Sequence, residues 1–131
     1  MADPIIELRV ILPHKSVFDG TCDHVIIPGI DGDFGVSAGH TPFMTVIRPG
    51  IMEIFTGEDV TKYALHDGFV SVENSKVTIV CETIEKADEI DRERAEAAKK
   101  RAEKRIREKL EDTDFRRAEI ALKKALIRLE I

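Results

Sequence analysis

Hydrophobic and polar residues alternate along the first two thirds of the chain with the period of half-buried β-strands. Residues 6–12, IELRVIL, put four aliphatic side chains on one side and the charged Glu7 and Arg9 on the other. Seven more short segments, separated by Gly, Pro or Asn-Ser, are rich in Val, Ile and Phe: SVFDG, CDHVIIP, FMTVIR, GIMEIF, TKYALH, FVSVE and KVTIVCE. VENSKV predicts a tight hairpin. No helical pattern interrupts these segments, so parallel units with crossover helices are excluded and two packed antiparallel sheets are predicted.

The pattern changes to a helical period in the last third, beginning with KADEIDRERAEAAKKRA at residues 86–102. Asp88 can cap a helix, with Glu89 and Asp91 in its first turn. The predicted inner face of this helix consists of Ala95, Ala98, Ala102, Ile106 and Leu110. After EDTD, in which Asp112 or Asp114 can cap a second helix, a matching face consists of Phe115, Ala118, Leu122, Ala125 and Leu129. A short turn between two helices predicts an antiparallel hairpin, and its alanines bury so little area that it should be able to open.

Composition divides the chain at the same place. Of the 131 residues, 43% are hydrophobic, which is enough for one core. All 8 Gly and all 5 Pro precede Lys76. Residues 1–84 carry 12 Asp+Glu against 5 Lys+Arg, whereas residues 85–131 carry 13 against 15. We therefore predict an α+β chain in which residues 1–84 form a β-sandwich and residues 85–131 form a helical hairpin.

Several classes of protein do not fit the sequence. No run of about 18 apolar residues and no signal peptide is present, which predicts a cytoplasmic location. Cys22 and Cys81 are expected to be reduced core residues. No convincing nucleophile and base can be found, because none of the histidines shares a motif spacing with a Cys or Ser: His14, His24, His40 and His66. An enzyme is therefore not expected.

A small β-domain that binds nucleic acid through a basic helical tail is the alternative from another class. KKRAEKRIREK, residues 99–109, contains seven Lys+Arg against two Glu. Such a protein needs aromatic stacking platforms and a basic β-face, but the chain has 5% aromatic residues, no Trp and an acidic β-domain. The basic run can also be a solvated helix face stabilised by i,i+4 ion pairs.

A glycine-rich stretch, PGIDGDFGVSAGHTP at residues 28–42, interrupts the strands. Its glycines allow positive φ and close backbone approach. Its charged residues Asp31 and Asp33 repel phosphate, so it is not a phosphate-binding loop. Asp31, Asp33 and His40 could surround a metal ion, but acidic residues in such turns usually bond to their own backbone, and no metal site is predicted.

Four segments together resemble the epsilon subunit of bacterial rotary ATP synthases, the counterpart of the mitochondrial delta subunit: VFDG, IPGIDGDFGVSAGHTPFMTVIRPG, EIDRERAEAAKKRAEKRI and DFRRAEIALKKAL. The resemblance covers the whole chain. It implies a non-catalytic rotor subunit whose N-terminal sandwich of about ten strands attaches to the gamma subunit and the membrane c ring. It also implies a C-terminal hairpin that regulates ATP hydrolysis and a peripheral position on the cytoplasmic face of the cell membrane.

The resemblance implies two protein contacts. Gly32, Asp33 and His40 would face the polar loops of the c ring, although the alternative of a turn with solvated acids stays open. An extended hairpin would reach the catalytic alpha and beta subunits. The basic residues that would meet the acidic helix-loop of beta are Lys99, Lys100, Arg101, Lys104, Arg105 and Arg107.

The resemblance also implies a regulatory ATP site, in which ATP is a ligand and Mg²⁺ can accompany it. The family motif is carried here by Ile90, Asp91, Arg94 and Ala95. An antiparallel hairpin should bring Arg94 near Arg128, with Lys124 one turn before it and Arg101 two turns after Arg94. A triphosphate would convert the repulsion of these cations into charge-assisted hydrogen bonds. Asp91 would orient Arg94 or contact the adenine side. The alternative is a helix-capping acid with a surface ion pair.

Overall fold

The computed structural model describes residues 5–39, 42–108 and 112–131 of an α+β chain, without the side chains of residues 112 and 113. A β-sandwich precedes two helices. The strands are β1 (Ile6–Leu12), β2 (Lys15–Cys22), β3 (His24–Gly29), β4 (Gly32–Ser37), β5 (Phe43–Ile47), β6 (Gly50–Thr56), β7 (Asp59–Glu73) and β8 (Lys76–Lys86). A short 3₁₀ helix, Ala87–Glu89, is followed by α1 (Arg92–Arg107) and α2 (Asp112–Glu130).

The described residues contain eight strands where about ten were expected. Two segments predicted as separate strands, TKYALH and FVSVE, belong to the single 15-residue strand β7. One end of β7 pairs with β6 and the other with β5. Gly68, which separates these two segments in the sequence, does not end the strand. Asp67 does take a positive φ of 51°, but the pairing with β8 keeps the same register on both sides of it.

β1 and β8 pair in parallel, with Leu8 opposite Val77. The prediction of exclusively antiparallel sheets is wrong for this pair. All the other strand pairs in the described residues are antiparallel. No crossover helix is needed, because six strands separate β1 from β8 and bring the chain back beside its start. The predicted tight hairpin is confirmed: Asn74 and Ser75 join β7 to β8 with φ values of 45° and 65°.

One hydrophobic core lies between the faces of the sandwich. Its largest fully buried aliphatic side chains are Ile6, Leu8, Ile27, Ile47, Met52, Leu65 and Ile79. The alternation predicted for β1 is confirmed, because Ile6, Leu8 and Val10 are buried and Glu7 and Arg9 are exposed. Both cysteines are free and buried, as predicted. Burial raises the pKa of the Cys81 thiol to about 11, which keeps it neutral.

The first helix begins later than the sequence predicted. Residues 87–89 form a 3₁₀ turn and Ile90 is extended, with φ −80° and ψ 126°. The prediction of continuous helix from residue 86, capped by Asp88, is therefore wrong. Asp91 is the cap, and its carboxylate accepts a hydrogen bond of 3.1 Å from the backbone N–H of Arg94.

The two helices form the predicted antiparallel hairpin with an alanine interface. Arg92, at the start of α1, donates a hydrogen bond of 2.9 Å to the carbonyl of Leu129 at the end of α2. The interface residues that are buried are Ala95, Ala102, Ala118 and Ala125. The larger predicted residues are only half-buried: Ile106, Phe115, Leu122 and Leu129. Leu110 lies outside the described residues.

Candidate functional site

A pocket of about 340 Å³ lies where the start of α1, the end of α2 and the end of β8 meet. Its lining consists of Glu85, Glu89, Asp91, Arg94, Ala95, Ala98, Arg101 and Arg128. The fold therefore brings together five of the seven residues that the sequence associated with ATP. The antiparallel course of the helices explains this, because it places the last turn of α2 beside the first turn of α1.

The other two residues of that set lie outside the lining. Ile90 is half-buried in the extended link before α1, where its N–H is 3.4 Å from the carbonyl of Ala87. Lys124 lies one turn before Arg128, and its charge acts on His66 of β7. Lys124 is therefore near the contact between α2 and the sandwich.

Arg94 is a highly exposed cation of the pocket. Its side chain is 90% exposed, and its Nε lies 4.0 Å from a carboxylate oxygen of Asp91. A contact this long and exposed restricts the guanidinium little. Asp91 accepts the backbone N–H of Arg94 as the helix cap, so Asp91 fixes the helix start and leaves the Arg94 side chain able to turn into the pocket.

Arg128, by contrast, is held by an acid of the sandwich. Its Nε donates a hydrogen bond of 2.6 Å to Oε1 of Glu85, and both side chains are about 30% exposed. His66 Nε2 lies 3.5 Å from the same oxygen, and His66 is only 1% exposed. This group of charges joins α2 to β7 and β8.

Sequence reasoning missed Glu85 and Glu89. Because of them the lining holds three arginines and three carboxylates rather than cations alone. Neither glutamate belongs to the motif at residues 90–95, and only the three-dimensional return of α2 brings Glu85 against Arg128. A phosphate that takes Arg128 must therefore replace a short hydrogen bond that the chain already makes.

Two of the three residues that the resemblance relates to the c ring, Gly32 and Asp33, lie at the start of β4. Gly32 has a φ of 130°, a conformation that side chains rarely adopt. Asp33 accepts a hydrogen bond from Arg48 within the chain. Its carboxylate is 58% exposed despite that ion pair. His40 lies outside the described residues.

The basic run covers the outside of α1. Two of its lysines have acidic partners one turn away, Lys99 with Glu103 and Lys104 with Glu108, each at 3.9 Å. The remaining residues are exposed and form no ion pair within the described part of the chain: Lys100, Arg101, Arg105 and Arg107. The run is thus partly an ion-paired helix face and partly a row of accessible cations.

An apolar stripe on the sandwich was also missed. Val46 and Phe69 lie opposite each other on β5 and β7 and are 54% and 50% exposed. Met44, two residues before Val46, is 71% exposed. Ile30 donates its backbone N–H to the carbonyl of Val46 and is 56% exposed. The signal was present in FMTVIR, where Met44 and Val46 share the strand face that period-2 alternation directs outward.

The described residues contain neither a candidate metal site nor a candidate membrane-spanning helix. His, Cys, Asp and Glu form no group of three there that could hold a metal ion. None of the helices in the ranges 5–39, 42–108 and 112–131 has the length and apolar character needed to cross a bilayer.

Comparison with known families agrees with this division into sandwich and hairpin. Residues 5–87 match the family model "ATP synthase, Delta/Epsilon chain, beta-sandwich domain", and residues 88–131 match "ATP synthase, Delta/Epsilon chain, long alpha-helix domain". The chain therefore belongs to the delta/epsilon chain family of ATP synthases. It is a non-catalytic subunit.

Individual relatives match over nearly their whole length. The chain is 42% identical over 123 residues to an ATP synthase epsilon chain of Desulforamulus reducens, covering 94% of this chain and 93% of the relative. It is 40% identical over 127 residues to that of Geotalea daltonii, covering 96% and 92%. A chain in the Euglena gracilis mitochondrial ATP synthase, OSCP/F1/c-ring, has the same fold with a TM-score of 0.88 at 24% identity, covering 99% of this chain and 81% of that one.

Proposed function

We propose that the chain is a central-stalk rotor subunit of a proton-driven ATP synthase. It couples the catalytic head to the membrane ring and inhibits ATP hydrolysis through its hairpin, whose folded form bound ATP stabilises. Near-full-length identity of about 40% to relatives named ATP synthase epsilon chain supports the subunit assignment. The neighbouring folds belong to assemblies described with a c ring and a central stalk. This role places the chain peripherally on the cytoplasmic face of the cell membrane.

The pocket at the hairpin carries the regulatory part of the proposal. Arg94, Arg101 and Arg128 converge on one space of about 340 Å³. Guanidinium groups bind phosphate oxygens through paired, charge-assisted hydrogen bonds. Because the arginines come from both helices, a triphosphate between them links the start of α1 to the end of α2. Lys124 adds a cation nearby without the paired donors of arginine.

ATP has a large effect on the folded hairpin in this arrangement because the alanine interface buries little area. A ligand that binds only the folded hairpin stabilises it by about 2.7 kcal/mol at 100 times its Kd. That changes the ratio of folded to open hairpin about a hundredfold. ATP would therefore set how often the hairpin opens and reaches the catalytic subunits.

Calorimetric titration of the full chain with ATP tests this site. We expect wild type to bind, and Arg94→Ala to bind about tenfold or more weakly, since hydrogen bonds to charged groups contribute about 1.5–3 kcal/mol. Arg116→Ala is the matched control, because Arg116 is an exposed arginine of α2 outside the pocket. No binding at millimolar ATP, or equal loss in both variants, would contradict the site.

The sandwich supplies two proposed docking surfaces. The apolar stripe of Ile30, Met44, Val46 and Phe69 suits the gamma subunit, since exposed apolar patches mark protein interfaces. Gly32 and Asp33 at the start of β4, together with His40, suit the polar loops of the c ring. Reversing the charge with Asp33→Arg should lower coupling in reconstituted vesicles, whereas Asp31→Arg, on the adjacent exposed turn, should not. Unchanged coupling in Asp33→Arg contradicts the c-ring contact.

The basic run suits the acidic helix-loop of the beta subunit when the hairpin extends. Within the basic run, Lys100, Arg105 and Arg107 are exposed, lie outside the ATP-site set and form no ion pair in the described part of the chain. Attraction between exposed charges is screened by salt. Changing all three to Ala should therefore reduce inhibition of ATP hydrolysis most at low salt. Inhibition equal to that of wild type would reject this contact.

The family membership gives no support to the nucleic-acid-binding alternative.

A further inference from the structure

His66 is the buried polar residue that neither the sandwich core nor the proposed ATP site explains. It is 1% exposed on β7, and neither ring nitrogen has a hydrogen-bond partner within the described residues. Its Nε2 is 3.5 Å from Oε1 of Glu85, which already binds Arg128 at 2.6 Å. A buried imidazole without a hydrogen-bond partner costs stability when neutral, and charging it here costs more because burial and Arg128 outweigh the attraction of Glu85.

The charges around His66 come from two elements. β8 contributes Glu85, the one acid that favours the imidazolium. α2 contributes Arg128 and Lys124, whose positive charges oppose it. The 3₁₀ helix that also packs on β7 carries Asp88 and Glu89, which are exposed, and Lys86 beside it pairs with Asp88. Burial, then Arg128, lower the pKa of His66 below its ordinary value of 6.5, despite Glu85.

We propose that His66 is a proton sensor at the contact between sandwich and hairpin, and that its protonation expels α2 from the sandwich. An imidazolium at this position repels Arg128 and Lys124 directly. It also competes with Arg128 for the same carboxylate oxygen of Glu85. Both effects weaken the link between α2 and β8, while separation of the two parts lets water solvate all three cations.

The direction of the pH effect follows from linkage. When the hairpin is released from the sandwich, His66 of β7 meets water and regains an ordinary pKa near 6.5. Docking of the hairpin lowers that pKa. Docking therefore has its full stability above about pH 7. It weakens as the pH falls through 6.5, by up to about tenfold for each pH unit, until the lowered pKa is reached. Mild acid releases the hairpin, and this requires no nucleotide.

The proton sensor can be tested on the full chain by recording ¹H–¹⁵N spectra from pH 8 to pH 5 without ATP. In wild type we expect the amides of α2 near Lys124 and Arg128 to leave their docked positions below pH 6.5. In His66→Leu and His66→Gln the docked positions should persist to pH 5. His14→Gln is the matched control, because His14 is exposed in the β1–β2 turn, and it should respond as wild type does.

Two outcomes would overturn the proposal: docked α2 signals in wild type down to pH 5, or loss of those signals at the same pH in both His66 variants. If either substitution impairs folding, the ring signals of wild-type His66 provide a second measurement. They should titrate below the ordinary histidine value of 6.5, and Lys124→Ala should move the His66 midpoint upward, since it removes an opposing charge. An unmoved midpoint with an ordinary value would also reject the sensor. These samples contain no ATP, so a negative result would reject the proton sensor without contradicting the proposed ATP site.

Discussion

Gly68 shows how closely two strands of the sandwich approach. A Cβ at this position would lie 2.1 Å from the carbonyl oxygen of Val80 and 2.8 Å from Cα of Cys81. Both are backbone atoms of β8, which cannot move aside as the end of a flexible side chain could. Gly68 therefore allows β7 to pass β8 at the point where its partner changes from β6 to β5.

Gly68→Ala should consequently destabilise the sandwich. We expect the free energy of unfolding to fall by about 1–3 kcal/mol or more, as for other overpacked sites. Gly20→Ala is the control, because the nearest atom to its Cβ, in Phe18, is at an ordinary 3.5 Å. Urea unfolding followed by circular dichroism measures both. Equal midpoints for the two variants would show that β8 moves aside without cost.

At the residue scale, the sequence predicted which arginines line the pocket better than it predicted which side chains contact them. The motif and the helical spacing brought Arg94, Arg101 and Arg128 to one pocket. They did not predict that Glu85 holds Arg128, since that contact joins residues 43 apart in sequence. They also did not predict that His66 is buried beside this pair. Local spacing contains no information on which strand end a returning helix meets.

The alanine interface determines how the helices respond to substitution. Ala95, Ala102, Ala118 and Ala125 are each at most 2% exposed, so the helix backbones approach closely. Half-buried larger residues surround this contact rather than fill it. The hairpin thus gains stability from close fit rather than from large buried area, and small changes in volume should shift its opening.

Ala102→Leu should open the hairpin, because three added carbons have no space between the helices. Overpacking of this kind costs about 1–3 kcal/mol. Ala97→Leu, on the exposed side of the same helix, adds the same atoms where they meet solvent. Amide hydrogen exchange of α1 and α2 should accelerate in Ala102→Leu alone, while β-strand amides keep their protection. Unchanged exchange in Ala102→Leu would mean that the helices accommodate the added carbons while the hairpin stays closed.

At the element scale the errors arose where local signals competed. The acidic residues at 88–91 offered two possible caps, and Asp91 is the cap because Ile90 is extended. Gly68 separates two predicted strands in the sequence, but pairing with β8 on both sides keeps β7 continuous. Tertiary pairing overrides such signals because each ladder adds several hydrogen bonds, whereas one residue at positive φ costs about 1–3 kcal/mol.

At the scale of the whole molecule, the apolar stripe is the proposed surface for the gamma subunit. Its role can be tested by comparing a substitution within the stripe with one at another exposed residue of β7. Phe69→Asp puts a charge within the stripe, so binding to isolated gamma subunit should weaken at least tenfold. Val60→Asp is the control, since Val60 is 47% exposed on β7 but pairs with Phe55 at the far end. Surface plasmon resonance measures both affinities. Equal affinities would remove gamma from this surface.

The general architecture of the whole molecule was predictable, because alternation and helical period separate two kinds of surface at about residue 85. The parallel pairing of β1 with β8 was not predictable in this way. Alternation determines which face of a strand is buried, and it is equally satisfied by either direction of a neighbouring strand.

That parallel pair has a consequence for synthesis of the chain. Leu8 and Val77 are separated by 69 positions. The edge of β1 that pairs with β8 therefore stays without its partner until most of the protein has left the ribosome. Such non-local pairing slows folding, and exposed strand edges invite aggregation in the interval. The helices emerge last, when the surface that receives them has just been completed. Truncated chains that end before β8 should therefore depend on chaperones, whereas chains that lack only α1 and α2 should fold unaided.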